Sequence, residues 1–170
     1  MNKLPIRLIL SDIRSALNVG AILRTADAAG IEMVYACGYT PYPKQLNDTR
    51  AAHIASSNTL AIAKTALGAE IDVPVKHFSD TASAINEARS IGFKIIVLEQ
   101  AERSLNLYHY HPEESIALVV GNEVTGVLPE DAQLADHVLE IPMIGSKESL
   151  NVSAATAVAV YQLRFGSTAN

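Results

Sequence analysis

Polar and charged side chains recur at three places where a short apolar run gives way to a small-residue loop and then to a helix-forming segment. The first is Ser11-Asp12-Ile13-Arg14-Ser15-Ala16-Leu17-Asn18-Val19-Gly20 and the second is Val120-Gly121-Asn122-Glu123-Val124-Thr125-Gly126. The third is Ile141-Pro142-Met143-Ile144-Gly145-Ser146-Lys147-Glu148-Ser149-Leu150-Asn151-Val152-Ser153. Strand-loop-helix junctions of this kind present main-chain amides and small hydroxyls at the C-terminal edge of a sheet, where α/β proteins hold small cofactors. Each residue also has a purely structural use. Asn18 suits a helix N-cap, Ser149 and Asn151 suit capping of the last helix, and Glu123 can bind backbone donors at a helix end. Arg24 stands at the i,i+3 spacing from Asp27 that gives a surface ion pair. Gly121 and Gly126 bracket the second loop, where glycine lets the backbone turn and a ligand approach.

Other conspicuous residues carry less. His109 and His111 flank Tyr110 without a third ligand, so no metal site is expected. Tyr39 and Tyr42 suit base stacking, but tyrosine beside proline is also ordinary loop packing. Cys37, the single cysteine, sits in an apolar run and reads as an inert buried thiol. No Gly-x-Gly-x-x-Gly follows the first apolar run and no Gly-Lys-Ser/Thr loop is present, which disfavours a dinucleotide-dependent dehydrogenase and a phosphate-loop NTPase.

The elements that must position these groups alternate along the chain. Strands are expected over residues 6–10, 33–37, 73–78, 93–98, 116–120 and 139–142. Helices are expected over 18–29, ending at Gly30, within 49–67, ending before Gly68, from a Ser79 cap to 90, and over 151–165. The runs Phe93–Leu98 and Ile116–Val120 are rich in Ile and Val, as in strands covered on both faces, and Leu139–Pro142 is short but similar. The last helix is apolar nearly all round, so it is expected to be buried on more than one side, against its own sheet and a partner chain. Residues 38–48 and 100–115 read as irregular surface loops with a binding role. This alternation predicts a mostly parallel α/β fold with helices on both faces.

At 170 residues the chain fits a single domain, 1–170. Its apolar runs fall short of a membrane span, and residues 1–10 lack the pattern of a secretory signal, so a cytoplasmic address is expected. The formal charge of −5 opposes strong nonspecific nucleic-acid binding. The distribution softens that objection: residues 1–50 hold six Lys/Arg against four Asp/Glu, the remainder seven against fourteen. A basic surface near Arg7, Arg14, Arg24, Lys44 and Arg50 is therefore compatible with an acidic protein.

The three junctions, with Asn18-Val19-Gly20-Ala21-Ile22-Leu23-Arg24-Thr25-Ala26, Val119 through Val127, and Ser149-Leu150-Asn151-Val152-Ser153 in this order, resemble the TrmH-like branch of the SPOUT RNA methyltransferases. The resemblance extends over essentially the whole chain. It implies a Rossmann-like sheet with a C-terminal trefoil knot, a homodimer, S-adenosyl-L-methionine as methyl donor, and a ribose 2′-OH of tRNA or rRNA as acceptor. It also implies catalytic roles for Arg24, Asn18, Glu123, Ser149 and Asn151. A guanidinium stays charged at ordinary pH, so Arg24 is expected to orient RNA and stabilise the attacking oxygen rather than take its proton. Cofactor contacts are expected from Val120, Gly121, Asn122, Glu123, Gly126, Ile141, Pro142, Met143, Ser149 and Leu150, with Ile141, Met143 and Leu150 around the adenine. RNA contacts are expected from Arg14, Arg24, Tyr39, Tyr42, Lys44 and Arg50. Two alternatives stay open: a noncatalytic RNA-binding or assembly protein on the same dimer, and a methyltransferase with another acceptor. An accessory protein is a further open source of RNA affinity.

Overall fold

In the computed structural model, which describes residues 4–166, seven strands form one sheet in the order β3-β2-β1-β6-β4-β7-β5. They are β1 (Ile6–Ser11), β2 (Met33–Cys37), β3 (Val75–Phe78), β4 (Lys94–Leu98), β5 (Leu105–Asn106), β6 (Ile116–Val120) and β7 (His137–Glu140). Every pairing among them is parallel, with Leu8 opposite both Val34 and Leu118, and Val97 opposite both Val119 and Val138. The expected α/β class is the one observed. The ends of the expected 1–170 domain, residues 1–3 and 167–170, lie outside the described residues.

Period-two alternation divides the core. Ile6, Leu8 and Leu10 of β1 and Leu118 and Val120 of β6 point to one face, whereas Ile9, Ala117 and Val119 point to the other. The first face is covered by α1 (Ala16–Ala29), α2 (Ala52–Ala66), the short α3 (Ala69–Asp72) and α6 (Val152–Phe165); the second by α4 (Thr81–Ser90) and the segment after α5 (Pro129–Ala132). Burial on both sides explains why the central strands β4 and β6 read as Ile/Val-rich runs, whereas β3 and β7, partly exposed, carry Lys76, His77 and His137.

Local chemistry sets the helix ends and corrects several expected boundaries. Ser15, not Asn18, caps α1, its side chain accepting the Asn18 N–H, and Gly30 closes that helix at φ 64°. Asp80, not Ser79, caps α4 by accepting from the Ser83 amide at 2.7 Å, while Ser79 donates to the Asp80 carboxylate. Strand β7 lies two residues earlier than expected, because residues 141–142 have already left the ladder. One of the two irregular segments, 100–115, holds short elements the pattern did not mark: β5 and the 3-10 turn Leu107–His109.

Two placements matter for the site. Strand β7 lies between β4 and β5, which are joined only through residues 99–104, so that connection spans β7's position at the C-terminal edge. The expected knot requires such a placement of the C-terminal segment. Helix α6 then runs beside α1 in the same direction: Asn151 donates to Asn18 at one end, and Arg164 donates to the Gly30 carbonyl at the other. Its buried residues Thr156, Ala159, Val160 and Leu163 form one face, so within the chain it is covered on one side rather than several. No helix among the described residues is long and apolar enough to cross a membrane.

Helices α1 and α2 meet at Gly20, where a Cβ would lie 2.2 Å from both the Ile62 carbonyl oxygen and the Thr65 hydroxyl. A methyl group there forces the helices apart. Gly20→Ala is therefore expected to lower stability by about 1–3 kcal/mol, whereas Gly145→Ala, in open space, changes it by less than about 0.5 kcal/mol. Urea unfolding of both variants measures this, and equal stabilities remove the close-packing argument.

Candidate active site

The C-terminal ends of β1, β6, β4 and β7 carry the three junctions to one place. Between the second and third lies a cavity of about 460 Å³, within the roughly 300–1,000 Å³ of ligand sites, and no residue of the first junction, Asn18 included, is part of its lining. Its lining includes Val120, Gly121, Asn122, Glu123, Gly126, Ile141, Met143, Ser149, Leu150 and Asn151. Pro142 is absent from it: on the extended chain leaving β7 successive side chains alternate, so Ile141 and Met143 face in and Pro142 is exposed outward.

Glycine is required on both sides of the second loop. A Cβ on Gly121 would lie 2.2 Å from the Gly126 carbonyl carbon, and Gly126 adopts φ 66° with the Glu99 carboxylate filling the space of its missing side chain. Between them Asn122 holds the turn. Its main chain exchanges hydrogen bonds with Gly126, and its side-chain oxygen accepts from the Val124 and Thr125 amides at 2.8 and 3.1 Å. Its side-chain nitrogen donates to the Asp12 carbonyl and the Tyr39 phenol oxygen. All four side-chain hydrogen-bonding positions are thus used within the protein.

Glu123 joins this turn to α1. Its carboxylate accepts from the Arg14 amide at 3.0 Å, the Ser15 amide at 3.2 Å and the Asn18 side-chain amide at 2.8 Å. Burial alone pushes the Glu123 carboxyl up, but the donors from Arg14, Asn18 and Ser15 outweigh it and hold the group below its ordinary value. An anion at the first turn of α1 also complements the helix dipole. The relay continues as Asn151 donates to the Asn18 side-chain oxygen at 3.2 Å and accepts from the Ser153 amide and hydroxyl. Asn18 is therefore a connector between two polar partners, and Asn151 is at once the α6 cap and part of the relay. Ser149 lines the cavity beside them.

Several lining residues were not anticipated: Leu98, Glu99, Gln100 and Glu140, with Val152 and Ala155 on the α6 side. Glu99 accepts from the Gln100 and Val127 amides, Gln100 donates to the Glu148 carbonyl, and Glu140 accepts from the Ser104 hydroxyl. The available signal was positional, since polar residues just past a buried strand fall at the ligand edge of a parallel sheet. With Glu123, the cavity holds three carboxylates and no Lys, Arg or His.

The expected RNA-contact residues divide. Arg14, Lys44 and Tyr39 are exposed, and Tyr39 as a whole is 61% accessible. Tyr42 is instead buried, stacked on His77 at 4.5 Å with the Arg50 guanidinium 3.5 Å from its ring centre. Arg50 is consumed there: it binds the Asp48 carboxylate through two nitrogens and the carbonyls of Tyr42 and Pro43. The Asp48 carboxyl is correspondingly held far below the usual carboxylate range. Neither Tyr42 nor Arg50 presents a free face to RNA, which corrects that expectation. Arg24 does not line the cavity of its own chain. It lies six residues on from Asn18, roughly 9 Å along the axis and about 240° around it, exposed and without a hydrogen bond or ion pair among the described residues. The Asp27 ion pair that its spacing allowed is not formed.

Comparison with known proteins agrees with this geometry. The model of the SpoU rRNA Methylase family matches residues 5–161. The chain is 32% identical over 160 residues to the 23S rRNA (guanosine-2'-O-)-methyltransferase RlmB of Neisseria meningitidis serogroup B, covering 94% of this chain and 58% of that protein. Its fold matches the AdoMet-bound rRNA methyltransferase of Sinorhizobium meliloti with a TM-score of 0.78 at 24% identity, over 95% of this chain and 56% of that one. It matches the A. aeolicus TrmH/SpoU tRNA modifying enzyme with a TM-score of 0.76 at 26% identity, over 98% of this chain and 76% of that one. The chain thus spans well under two thirds of the length of the curated relatives it matches first.

Because the Glu123 carboxyl is held low in the folded protein, its stabilising contribution is complete above the unfolded value of about 4.3 and is lost as pH falls through the lower folded value. Glu123→Gln is thus expected to be less stable than wild type at pH 7, with the gap closing below about pH 4. Denaturant unfolding across that range tests this, and a gap independent of pH shows that the charge is not what α1 recognises.

Proposed function

The chain belongs to the SpoU rRNA methylase family, and we propose that it acts as a homodimer to methylate a ribose 2′-OH of tRNA or rRNA with S-adenosylmethionine as donor. The observation that carries this reading is the cavity between the second and third junctions at the C-terminal edge of the sheet, with the first junction hydrogen-bonded to its Glu123 wall. Its residues fit the donor. Ile141, Met143, Leu150 and Val152 offer apolar walls for an adenine, the glycine-bounded turn offers main-chain groups at close range, and the three carboxylates without a cation favour a positively charged ligand.

When bound, the sulfonium supplies an electrophilic methyl group that needs no metal. The residues of the chain then have orienting tasks. Asn18, behind the cavity wall, is held by Glu123 and Asn151, and so keeps these two lining residues in a fixed relation. Ser149 and Asn151 flank the approach of an acceptor hydroxyl, and Arg14 and Tyr39 stand on the rim for RNA. Glu123 acts as an anchor; a carboxyl held low and saturated with donors is a poor proton acceptor.

Arg24 supports the dimer. It lies on an outward stripe of α1 with Leu17, Ala21 and Ala28, and α6 presents Ala154 and Tyr161 outward beside it. Apolar stripes of this kind on adjoining helices suit a second copy of the chain. Pairing there lets the guanidinium of one protomer approach the cavity of its partner, where it would hold an RNA phosphate and stabilise the attacking oxygen.

Labelled S-adenosylmethionine incubated with size-fractionated, methyl-deficient RNA, followed by nucleoside mass spectrometry, tests the reaction and separates tRNA from rRNA. Arg24→Ala is expected to bind the donor normally and to lose about 10²–10³-fold in methyl transfer. Wild-type turnover by that variant removes Arg24 from the mechanism, and label outside 2′-O-methylnucleosides overturns the acceptor.

A further inference from the structure

Three neighbouring strand ends are tied together by contacts that begin at Tyr39. The residue before it, Gly38 at the end of β2, has φ 59°, and the Asp12 carboxylate occupies the space a Cβ would take there. Asp12, at the end of β1, itself adopts φ 52° and accepts from the Tyr39 amide at 3.1 Å. Its carbonyl takes one of the two Asn122 side-chain protons at 2.8 Å, and the Tyr39 phenol oxygen takes the other at 2.6 Å. Asn122 is 7% exposed, and both of its side-chain protons are taken up within the protein. Yet Tyr39 as a whole is 61% exposed. An exposed ring with its polar tip directed onto a buried amide is an expensive way to fill a loop and an effective way to set that amide.

We propose that Tyr39 is a positioning residue for the donor site: by accepting from Asn122 it holds the 122–126 turn in the shape that walls the cavity. The mechanism is a chain of hydrogen bonds. Tyr39 and Asp12 together orient the Asn122 amide, and its opposite oxygen then receives the Val124 and Thr125 amides. That arrangement sets where Glu123 leaves the turn to reach Arg14, Ser15 and Asn18. Removing the phenol oxygen leaves one buried N–H without a partner, and the turn relaxes to find one. The ring contributes nothing to this; the oxygen does. The inference rests on the reading of the cavity as the S-adenosylmethionine site, and it adds a residue from a loop that does not line that cavity.

The test uses full-length protein and S-adenosylmethionine binding by calorimetry, with thermal midpoints of the unligated protein beside it. Tyr39→Phe is expected to weaken donor binding about tenfold while shifting the midpoint by less than about 2 °C. Tyr39→Leu, which also removes the ring, is expected to weaken it by the same factor. In an Asn122→Ala background Tyr39→Phe is expected to have no further effect, since a double-mutant cycle isolates a contact that runs through Asn122. Donor affinity unchanged in Tyr39→Phe, or losses that multiply independently in the double variant, overturns the proposal. Failure of the wild-type protein to bind S-adenosylmethionine instead overturns the reading of the cavity, and the role of Tyr39 falls with it.

Discussion

The Glu123 carboxylate takes three N–H donors, from the Arg14 and Ser15 main chain and the Asn18 side chain, and so joins the loop after β6 to the first turn of α1. The first amides of a helix have no partner within the helix, so this carboxylate satisfies groups that the fold leaves open. Asn18, once held, offers its oxygen to Asn151, which caps α6. One anion thereby sets the placement of α1 relative to a loop and a helix that both lie more than a hundred residues from it in sequence. The cavity between them keeps its shape because its walls are bonded to one another and not only to a ligand.

That arrangement depends on the sheet. All pairings between the described strands are parallel, so every strand leaves its continuation at the same edge, and helices on both faces cover the apolar central strands. The junctions after β1, β6 and β7 become neighbours although β2 through β5 intervene along the chain. Gly121 and Gly126 then allow the second loop to fold tightly onto itself, with the Glu99 carboxylate pressed into the space that a side chain on Gly126 would need. Close approach of backbone to backbone leaves the adjoining volume to the cavity.

Much of this was legible in the residues, and the failures share a cause. The strand over 33–37 and the one over 116–120 are observed with those bounds, because continuous apolar runs bounded by loops depend little on tertiary context. Cap assignments failed where two capping residues stood near one another, Ser15 with Asn18 and Ser79 with Asp80, since residue type alone does not say which adopts the extended backbone of an N-cap. The strands of four residues or fewer gave weak or shifted signals, and the two-residue β5 gave none, because its pairing with β7 is decided entirely at a distance. At the site, Glu99 and Glu140 escaped notice because each follows or ends a strand without any loop motif to mark it. Tyr42 and Arg50 were misread for the opposite reason: their types suit RNA, but they satisfy each other and Asp48 first.

The charge ledger has to be revised in the same physical terms. The basic half of the sequence offered Arg7, Arg14, Arg24, Lys44 and Arg50. Arg7 binds Glu32 and Tyr35 and lies over the Phe93 ring, and Arg50 is locked to Asp48. A cation already paired within the protein releases few counterions when a phosphate arrives, so it adds little to RNA affinity. Arg14, Arg24 and Lys44 have exposed side chains outside any ion pair among the described residues. Three cations on an acidic chain give a shallow salt dependence and weak binding at physiological ionic strength, because for single strands the logarithmic slope scales as about 0.7 per neutralised phosphate. In the proposed dimer, two copies meeting on the α1 and α6 faces would double that number and place both Arg24 side chains at the shared surface. Electrostatics and the exposed, unpaired position of Arg24 thus support that proposal on separate grounds, one concerning affinity for a polyanion and the other the placement of a single guanidinium.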